Sequence, residues 1–450
     1  MRTPTPARKA LAITAAAAVA LTLAACGPNT STGTETGSEA SEEPTADFAG
    51  VEPAESITFW SNHPGGSIDV EKELIAAFTA ETGIEVELVT AGANYEEVFQ
   101  KFQTAQTAGN AGDLVVLSDA TWFPSYLNSS LQPLDGLLEA AEVDTAGYQE
   151  TLYGDYLYEG SHYAVPYARS TPIFYYNKDH YAAAGLEDRA PTDWDEAREF
   201  SLALKDAVPG ATPFGFPAED QYPAWTMSNL VWGYGGSWSN EWDFAPISDQ
   251  GTQDALTFAQ TAVNDEWAVV ASGNPSTAFS SGAISQVIAS TGSLKGILEA
   301  ATFEVGVGFL PGGPEATEGI VPTGGAGLAV SAASTPERQL AATMLAAFLT
   351  NAENTATFSA GTGYLPVQKD ADMTEIYAAQ PLFEVAVDQL AMTRSQDFAR
   401  VFVPGGDREI AKTLQAILAQ GQSVETSLTT LETTLVGLYD RDLAPIVGES

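Results

Sequence analysis

From Ser56 to Leu117 the hydrophobic period alternates repeatedly between that of a strand and that of a helix, and this alternation constrains the fold most. Ser56-Ile57-Thr58-Phe59-Trp60 reads as a strand, broken by Ser61-Asn62-His63-Pro64-Gly65-Gly66. Leu74, Ile75 and Phe78 then recur at helical spacing up to Gly83, which suits a C-cap. Ile84, Val86 and Leu88 alternate with Glu85 and Glu87 as in a half-buried strand. Residues 95–108 are helical again, and Leu114-Val115-Val116-Leu117 is a short apolar strand. Strand–helix–strand–helix–strand implies a parallel sheet with helices on its faces. Ligands of such sheets sit at the carboxyl ends of the strands, which places loops 61–66 and 118–122 beside a site.

Further along, residues 163–167 and 171–176 read as strands joined by Ala168-Arg169-Ser170. Thr192 reads as the N-cap of a helix that turns Trp194, Ala197 and Phe200 to one face. Residues 306–311 and 327–330 read as a strand pair around a glycine-rich turn, and 338–349 as an apolar-faced helix. Leu428, Leu431, Leu435 and Leu438 fit a core-packing helix, since a coiled-coil seam needs more heptads.

The amino-terminal segment speaks to location. A basic start (Arg2, Arg8, Lys9), an apolar stretch and Leu23-Ala24-Ala25-Cys26 follow the order of a secretory signal. The stretch is short and alanine-rich for a membrane span. A cysteine directly after the small residues resembles a lipoprotein box, with Cys26 acylated and the signal peptide ending at residue 25. Cys26 is the sole cysteine, so no disulfide competes for it. Residues 26–55 are rich in Thr, Ser, Glu, Gly and Pro and read as a flexible tether. The expected location is the extracytoplasmic face of the cell membrane.

Loss of residues 1–25 leaves 15 basic residues against 59 acids, a net charge of −44. That charge excludes a nucleic-acid partner and adhesion to anionic lipid, so membrane attachment falls to the lipid alone. The body from Ser56 onward exceeds the size of one hydrophobic core, and two lobes are expected. His63, His162 and His180 form no metal-spaced set, and neither a Gly-x-Ser-x-Gly elbow nor a phosphate loop occurs. The expectation is therefore a protein that is not an enzyme, with no metal and no cofactor. A cell-surface hydrolase using paired carboxylates is the rival class.

Seven motifs occur in order: Ile57-Thr58-Phe59-Trp60, Asn94-Tyr95-Glu96-Glu97, Ser170-Thr171-Pro172, Tyr175-Tyr176-Asn177-Lys178-Asp179, Ser290-Thr291-Gly292-Ser293, Gly324-Gly325-Ala326 and Thr362-Gly363-Tyr364-Leu365-Pro366. Together the chain resembles the extracellular solute-binding proteins of ATP-binding-cassette (ABC) importers, the group of the maltose-binding protein. Within it the chain is most similar to glycerol-3-phosphate and glycerophosphodiester binders; the Ser-Thr-Pro and Asn-Tyr-Glu motifs narrow the choice. The resemblance implies an α/β, two-lobed periplasmic-binding-protein-like fold with a hinge, crossed near 167–170, 311–324 and 361–366. Its lobes would be 56–167 with 324–362, and 168–323 with 363–450. It implies a monomer that hands a small polar ligand to permease subunits and their ATPase.

The resemblance also supplies a candidate site. Tyr95 and Asp119 would grip a glycerol end, the carboxylate accepting from two hydroxyls. Ser170, Ser290 and Gly325 would donate, Tyr222 and Trp225 would line a wall, and Tyr364 and Arg408 would complete the set. Arg400 and Arg408 are spaced as an arginine pair in the relatives, whose second member meets the ligand; an arginine can bond a phosphate bidentately. Asp119 would equally cap a helix near Thr121, and Arg408 would equally be a surface cation on a first helical turn. An oligosaccharide stacked on Trp225 and bonded to Asp119 is the second ligand reading.

Overall fold

The computed structural model describes residues 48–447, all within the compact unit Thr45–Ser450. Cys26, the signal segment and most of the tether lie outside the described residues. Phe48 is buried, and the Ala54 N–H donates to Glu337 O at 2.9 Å, so packing begins upstream of Ser56.

Two five-stranded sheets organise the body. The first uses β1 (Ser56–Ser61), β2 (Glu85–Thr90), β3 (Leu114–Ser118), β4 (Val165–Ser170) and β10 (Gly324–Val330), in order β2-β1-β3-β10-β4. β1 pairs in parallel with β2 and β3, as the alternating pattern requires. Helix Ile68–Thr82 ends on Gly83 at φ 77°. Helix Tyr95–Ala108 is capped by Asn94, whose side chain accepts from Glu97 N at 2.9 Å, and this makes Tyr95 its first residue. β3 is buried throughout, as expected of a central strand with both faces covered.

The second sheet uses β5 (Pro172–Asn177), β6 (Thr212–Phe216), β7 (Ala268–Val270), β8 (Ile284–Ser290) and β9 (Val305–Gly308), in order β9-β5-β8-β6-β7. Only Thr171 separates β4 of the first sheet from β5 of the second. Residues 168–170 are therefore strand rather than connector, and Arg169 is fully buried in it. Pro166 is accommodated because β4 is an edge strand, and Pro172 because it opens one.

Residues 305–308 and 324–330 are strands, but they do not pair with each other; β9 lies on β5 and β10 lies between β3 and β4. The chain crosses between sheets there instead of turning back. The helix expected from Thr192 begins one residue later. Asp193 accepts from Glu196 N at 2.8 Å, and the Glu196 carboxylate reaches back to Thr192 N at 2.7 Å. Asp193 is the cap because its carboxylate accepts the Glu196 N–H, and the Glu196 carboxylate accepts the N–H of Thr192 in return.

The third crossing follows helix Ala352–Thr362, which ends on Gly363 at φ 90°. Leu365 N then donates to Arg169 O at 2.8 Å, so this crossing runs against the first. Helix Val424–Asp442 buries Leu428, Leu431 and Leu435 in a core shared with Trp122, Phe123 and Phe402. No helix among the described residues is long and apolar enough to cross a membrane.

Candidate functional site

The carboxyl end of β3 delivers Asp119, which is 5 % exposed. Its N–H donates to Gly325 O at 3.0 Å, and its carboxylate accepts from Arg400 Nη1 at 3.0 Å and Gln396 Nε2 at 3.2 Å. Asp119 is thus no helix cap; Thr121 holds that position for helix Trp122–Leu127. Gly325 sits at φ 100°, where an added Cβ would lie 2.1 Å from Ala168 O. Only glycine allows the irregular register by which β10 bends onto β4. That bend sets Gly324 opposite Ser170, which is buried.

Trp225 stands on the short helix Pro223–Thr226 and packs its indole on Gly324, where a Cβ would meet the ring at 2.5 Å. Trp225 Nε1 donates to Thr323 O at 2.9 Å, and Gln396 donates to the same carbonyl. Asp119, Gln396, Thr323 and Trp225 therefore form one continuous chain of contacts.

Tyr364 lies on the third crossing with its ring between two glycines. A Cβ on Gly65 would approach it to 2.9 Å, and one on Gly292 to 3.0 Å. Loop 61–66 is pinned by His63, which contacts Glu71 at 2.5 Å and Thr90 at 2.7 Å. Tyr95 Oη meets Tyr364 Oη at 3.2 Å. Ser290, at the end of β8, accepts from Gly292 N at 3.1 Å and so shapes the turn under Tyr364. Tyr222 precedes Pro223 and is 49 % exposed.

Charge ties these groups together. Burial first, and then Tyr364, Tyr222 and Tyr156, hold the Tyr95 phenol well above its usual range. Burial pushes Tyr364 up to about 12. Tyr222 is raised by burial and by Asp407, Asp119, Glu96 and Asp220. Burial opposes the charge on Arg400, but Asp119 and Asp407 raise its pKa on balance. Arg400 lies 2.9 Å from Asp407 through Nε.

Of the residues singled out from sequence, eight come together: Tyr95, Asp119, Ser170, Tyr222, Trp225, Ser290, Gly325 and Tyr364. Arg408, next to Asp407 in the chain, forms no ion pair with the acids of this group. It is exposed on the first turn of helix Gly406–Leu418 and makes no ion pair among the described residues. Arg400, 4 % exposed, is the guanidinium in the cluster. A second buried pair, missed from sequence, lies beneath. Arg169 bonds Asp155 and reaches Tyr156 Oη at 2.6 Å, and burial pushes Asp155 up to about 6 despite Arg169. Its signal was a charged residue between two apolar strand runs, a position that demands a buried partner.

Two five-stranded sheets linked by three crossings, with aromatic and charged groups gathered at their carboxyl ends, define a two-lobed binding protein. Residues 73–385 match the family described as bacterial extracellular solute-binding protein, and the chain belongs to it. The sn-glycerol-3-phosphate-binding periplasmic protein UgpB of Escherichia coli K12 is 25 % identical, covering 74 % of this chain and 80 % of that one. The crystal structure of UgpB from Mycobacterium tuberculosis in complex with glycerophosphocholine is 41 % identical. It superposes with a TM-score of 0.82 over 87 % of this chain and 100 % of that one. The GacH receptor of Streptomyces glaucescens, 19 % identical with a TM-score of 0.74 over 86 % of this chain and 98 % of its own, shares the fold.

Proposed function

We propose that this chain is the substrate-binding component of an ABC importer for glycerophosphodiesters, working outside the cytoplasm. The observation that carries the reading is the 41 % identity over nearly the whole body to a protein crystallised with glycerophosphocholine. The site chemistry supports it. The Asp119 carboxylate accepts from two glycerol hydroxyls, and Trp225 lies against the carbon face. Ser170, Ser290 and the backbone of Gly325 serve the polar oxygens, with Tyr95 and Tyr364 closing one side and Tyr222 the other. Arg400 takes the phosphate-facing role that the resemblance gave to Arg408. Its Nη1 bonds Asp119, while its buried Nε lies 2.9 Å from Asp407 without forming a hydrogen bond. In a chain this acidic, an anion must be held by such local donors.

The two sheets and their helices act as lobes that close on ligand, with residues 168–170 belonging to the first sheet and not to the second lobe as expected from sequence. The chain binds and releases and is not an enzyme; a hydrolase would need an acid and a nucleophile free to react, and the carboxylates of this cluster, Asp119 and Asp155, are paired with arginines. Its partners are permease subunits and their ATPase, met as a monomer held to the membrane by acylated Cys26. A Cys26→Ser chain recovered in the membrane fraction with unchanged processing would refute that anchor.

Micromolar capture needs about 8 kcal/mol, within reach of several charge-assisted bonds and an aromatic wall. Thermal-shift screening of the chain against glycerophosphocholine, glycerol-3-phosphate, maltose and trehalose tests the reading. Stabilisation by the first two is expected; stabilisation by the sugars alone overturns it.

A further inference from the structure

Residues 396–402 meet elements of both sheets, and the contacts differ in kind on the two sides. Asp397 is buried and accepts from Trp232 Nε1 at 2.9 Å and from Trp238 N at 2.8 Å. Ala399 N donates to Ser239 Oγ at 2.9 Å. Residues 232–239 lie between β6 and β7, so these bonds pin the segment to the second sheet's side. Toward the first sheet, Gln396 and Arg400 reach Asp119 at the end of β3.

Two residues beyond Arg400, the ring of Phe402 enters a cluster of aromatic rings. Its centroid lies 4.7 Å from Phe123 and 5.9 Å from Trp122, both edge-on, and 6.0 Å from Tyr158. Trp122 and Phe123 open the helix that follows β3, and Tyr158 lies on the hairpin 157–162 between β3 and β4. Phe402, Trp122 and Phe123 are buried, and Tyr158 is half-buried. Rings about 4.5–7 Å apart in such arrangements attract one another beyond the area they bury. When the bond from Arg400 to Asp119 breaks, water replaces it; when the ring leaves this cluster, apolar area is exposed with nothing in exchange. The ring contact therefore favours the arrangement with Arg400 on Asp119 whether or not ligand is present.

We propose that Phe402 is a positioning residue, an aromatic latch between the two lobes that holds Arg400 on Asp119 and raises the population of the closed form before ligand arrives. The inference rests on the two-lobed binding reading and deepens it: part of closure is built into the chain, and ligand supplies the rest. Apparent affinity scales with the fraction of chains in the competent form, so a residue outside the proposed ligand contacts sets it.

Stopped-flow kinetics of the full chain with glycerophosphocholine, and scattering without ligand, test this on Phe402→Ala, Phe402→Leu, Tyr158→Ala and the Phe402→Ala/Tyr158→Ala double variant. One aromatic pair is worth about two- to tenfold, and Phe402→Ala removes three, so its dissociation rate should rise about ten- to hundredfold. Its association rate should change much less. Phe402→Leu should recover part of the loss, because it restores apolar area without the ring geometry. Tyr158→Ala should raise the dissociation rate about two- to tenfold and add little to Phe402→Ala in the double variant. Without ligand, Phe402→Ala should show a larger radius of gyration than the wild type. Should Phe402→Ala fail to fold, Phe402→Leu and Tyr158→Ala carry the same comparison. Wild-type dissociation rates in the variants that fold, or fully additive effects in the double variant, overturn the latch and leave the importer reading standing. If the wild type does not bind glycerophosphocholine, the importer reading falls, and equal ligand-free radii of wild type and Phe402→Leu then overturn the latch as well.

Discussion

Arg400 and Arg408 carry the same charge, one buried and one exposed, and the proposed function gives them opposite roles. Arg400→Ala would strand Asp119 and Asp407 without a partner, which typically costs about 3–5 kcal/mol of stability. It should also cost about 2–5 kcal/mol in binding of glycerol-3-phosphate, with Arg400→Lys recovering part. Arg408→Ala should stay within about 0.5 kcal/mol of wild type in both. Denaturant midpoints and calorimetry read these effects, and a severe Arg408→Ala with a silent Arg400→Ala would reverse the assignment. The spacing of the two arginines was legible in sequence, but not which one faces inward. Gly405, at φ 82°, turns the chain between them, and a turn of that kind resets which side the next helix presents.

Asp155 makes a second prediction at this scale. Burial lifts its carboxyl from 3.8 to about 6. The folded chain therefore keeps a proton through an interval where the unfolded chain has released it. The stabilising contribution is complete below 3.8, declines as pH rises toward 6 and is lost above it. A shift of that size corresponds to about 3 kcal/mol. Urea midpoints of wild type and Asp155→Asn between pH 4 and 7 should converge or cross accordingly, with the wild type losing ground as pH rises. Parallel profiles would contradict the buried, protonatable state.

Among the elements, the helix starting at Trp194 shows how far local chemistry can be read. Its existence and buried face follow from spacing, and the structure has Trp194, Ala197 and Phe200 buried. The cap lies one residue on because Asp193 accepts the Glu196 N–H while Thr192 donates its N–H and hydroxyl to the Glu196 carboxylate. Asp193→Ala should cost about 1 kcal/mol, and more than Thr192→Ala, in chemical denaturation. The reverse ranking would restore Thr192 as the cap. The strands 305–308 and 324–330 mark the limit of such reading. Each is plain in its own sequence, yet their partners lie on β5, β3 and β4, far along the chain. Local pattern carries no record of that pairing. Arg169 is a similar case, since only the crossing from β4 to β5 reveals why a guanidinium is buried between apolar strands.

For the whole molecule, the alternating start gave away the parallel core of the first sheet, and the order of seven motifs gave away the two-lobed plan. The candidate site was drawn from that plan, and Asp119, Gly325 and Tyr364 stand where strands end or the chain crosses. The ion pairs were not, since Asp119 meets an arginine 281 residues away in the chain. On the proposed function, a ligand bonded to both lobes ties them together, and its differential affinity for a closed form sets the shift. Small-angle scattering of the chain with and without saturating glycerophosphocholine tests this most directly. The account predicts a smaller radius of gyration with glycerophosphocholine and no change with maltose. Superimposable curves at saturating glycerophosphocholine, or closure by maltose alone, would contradict it.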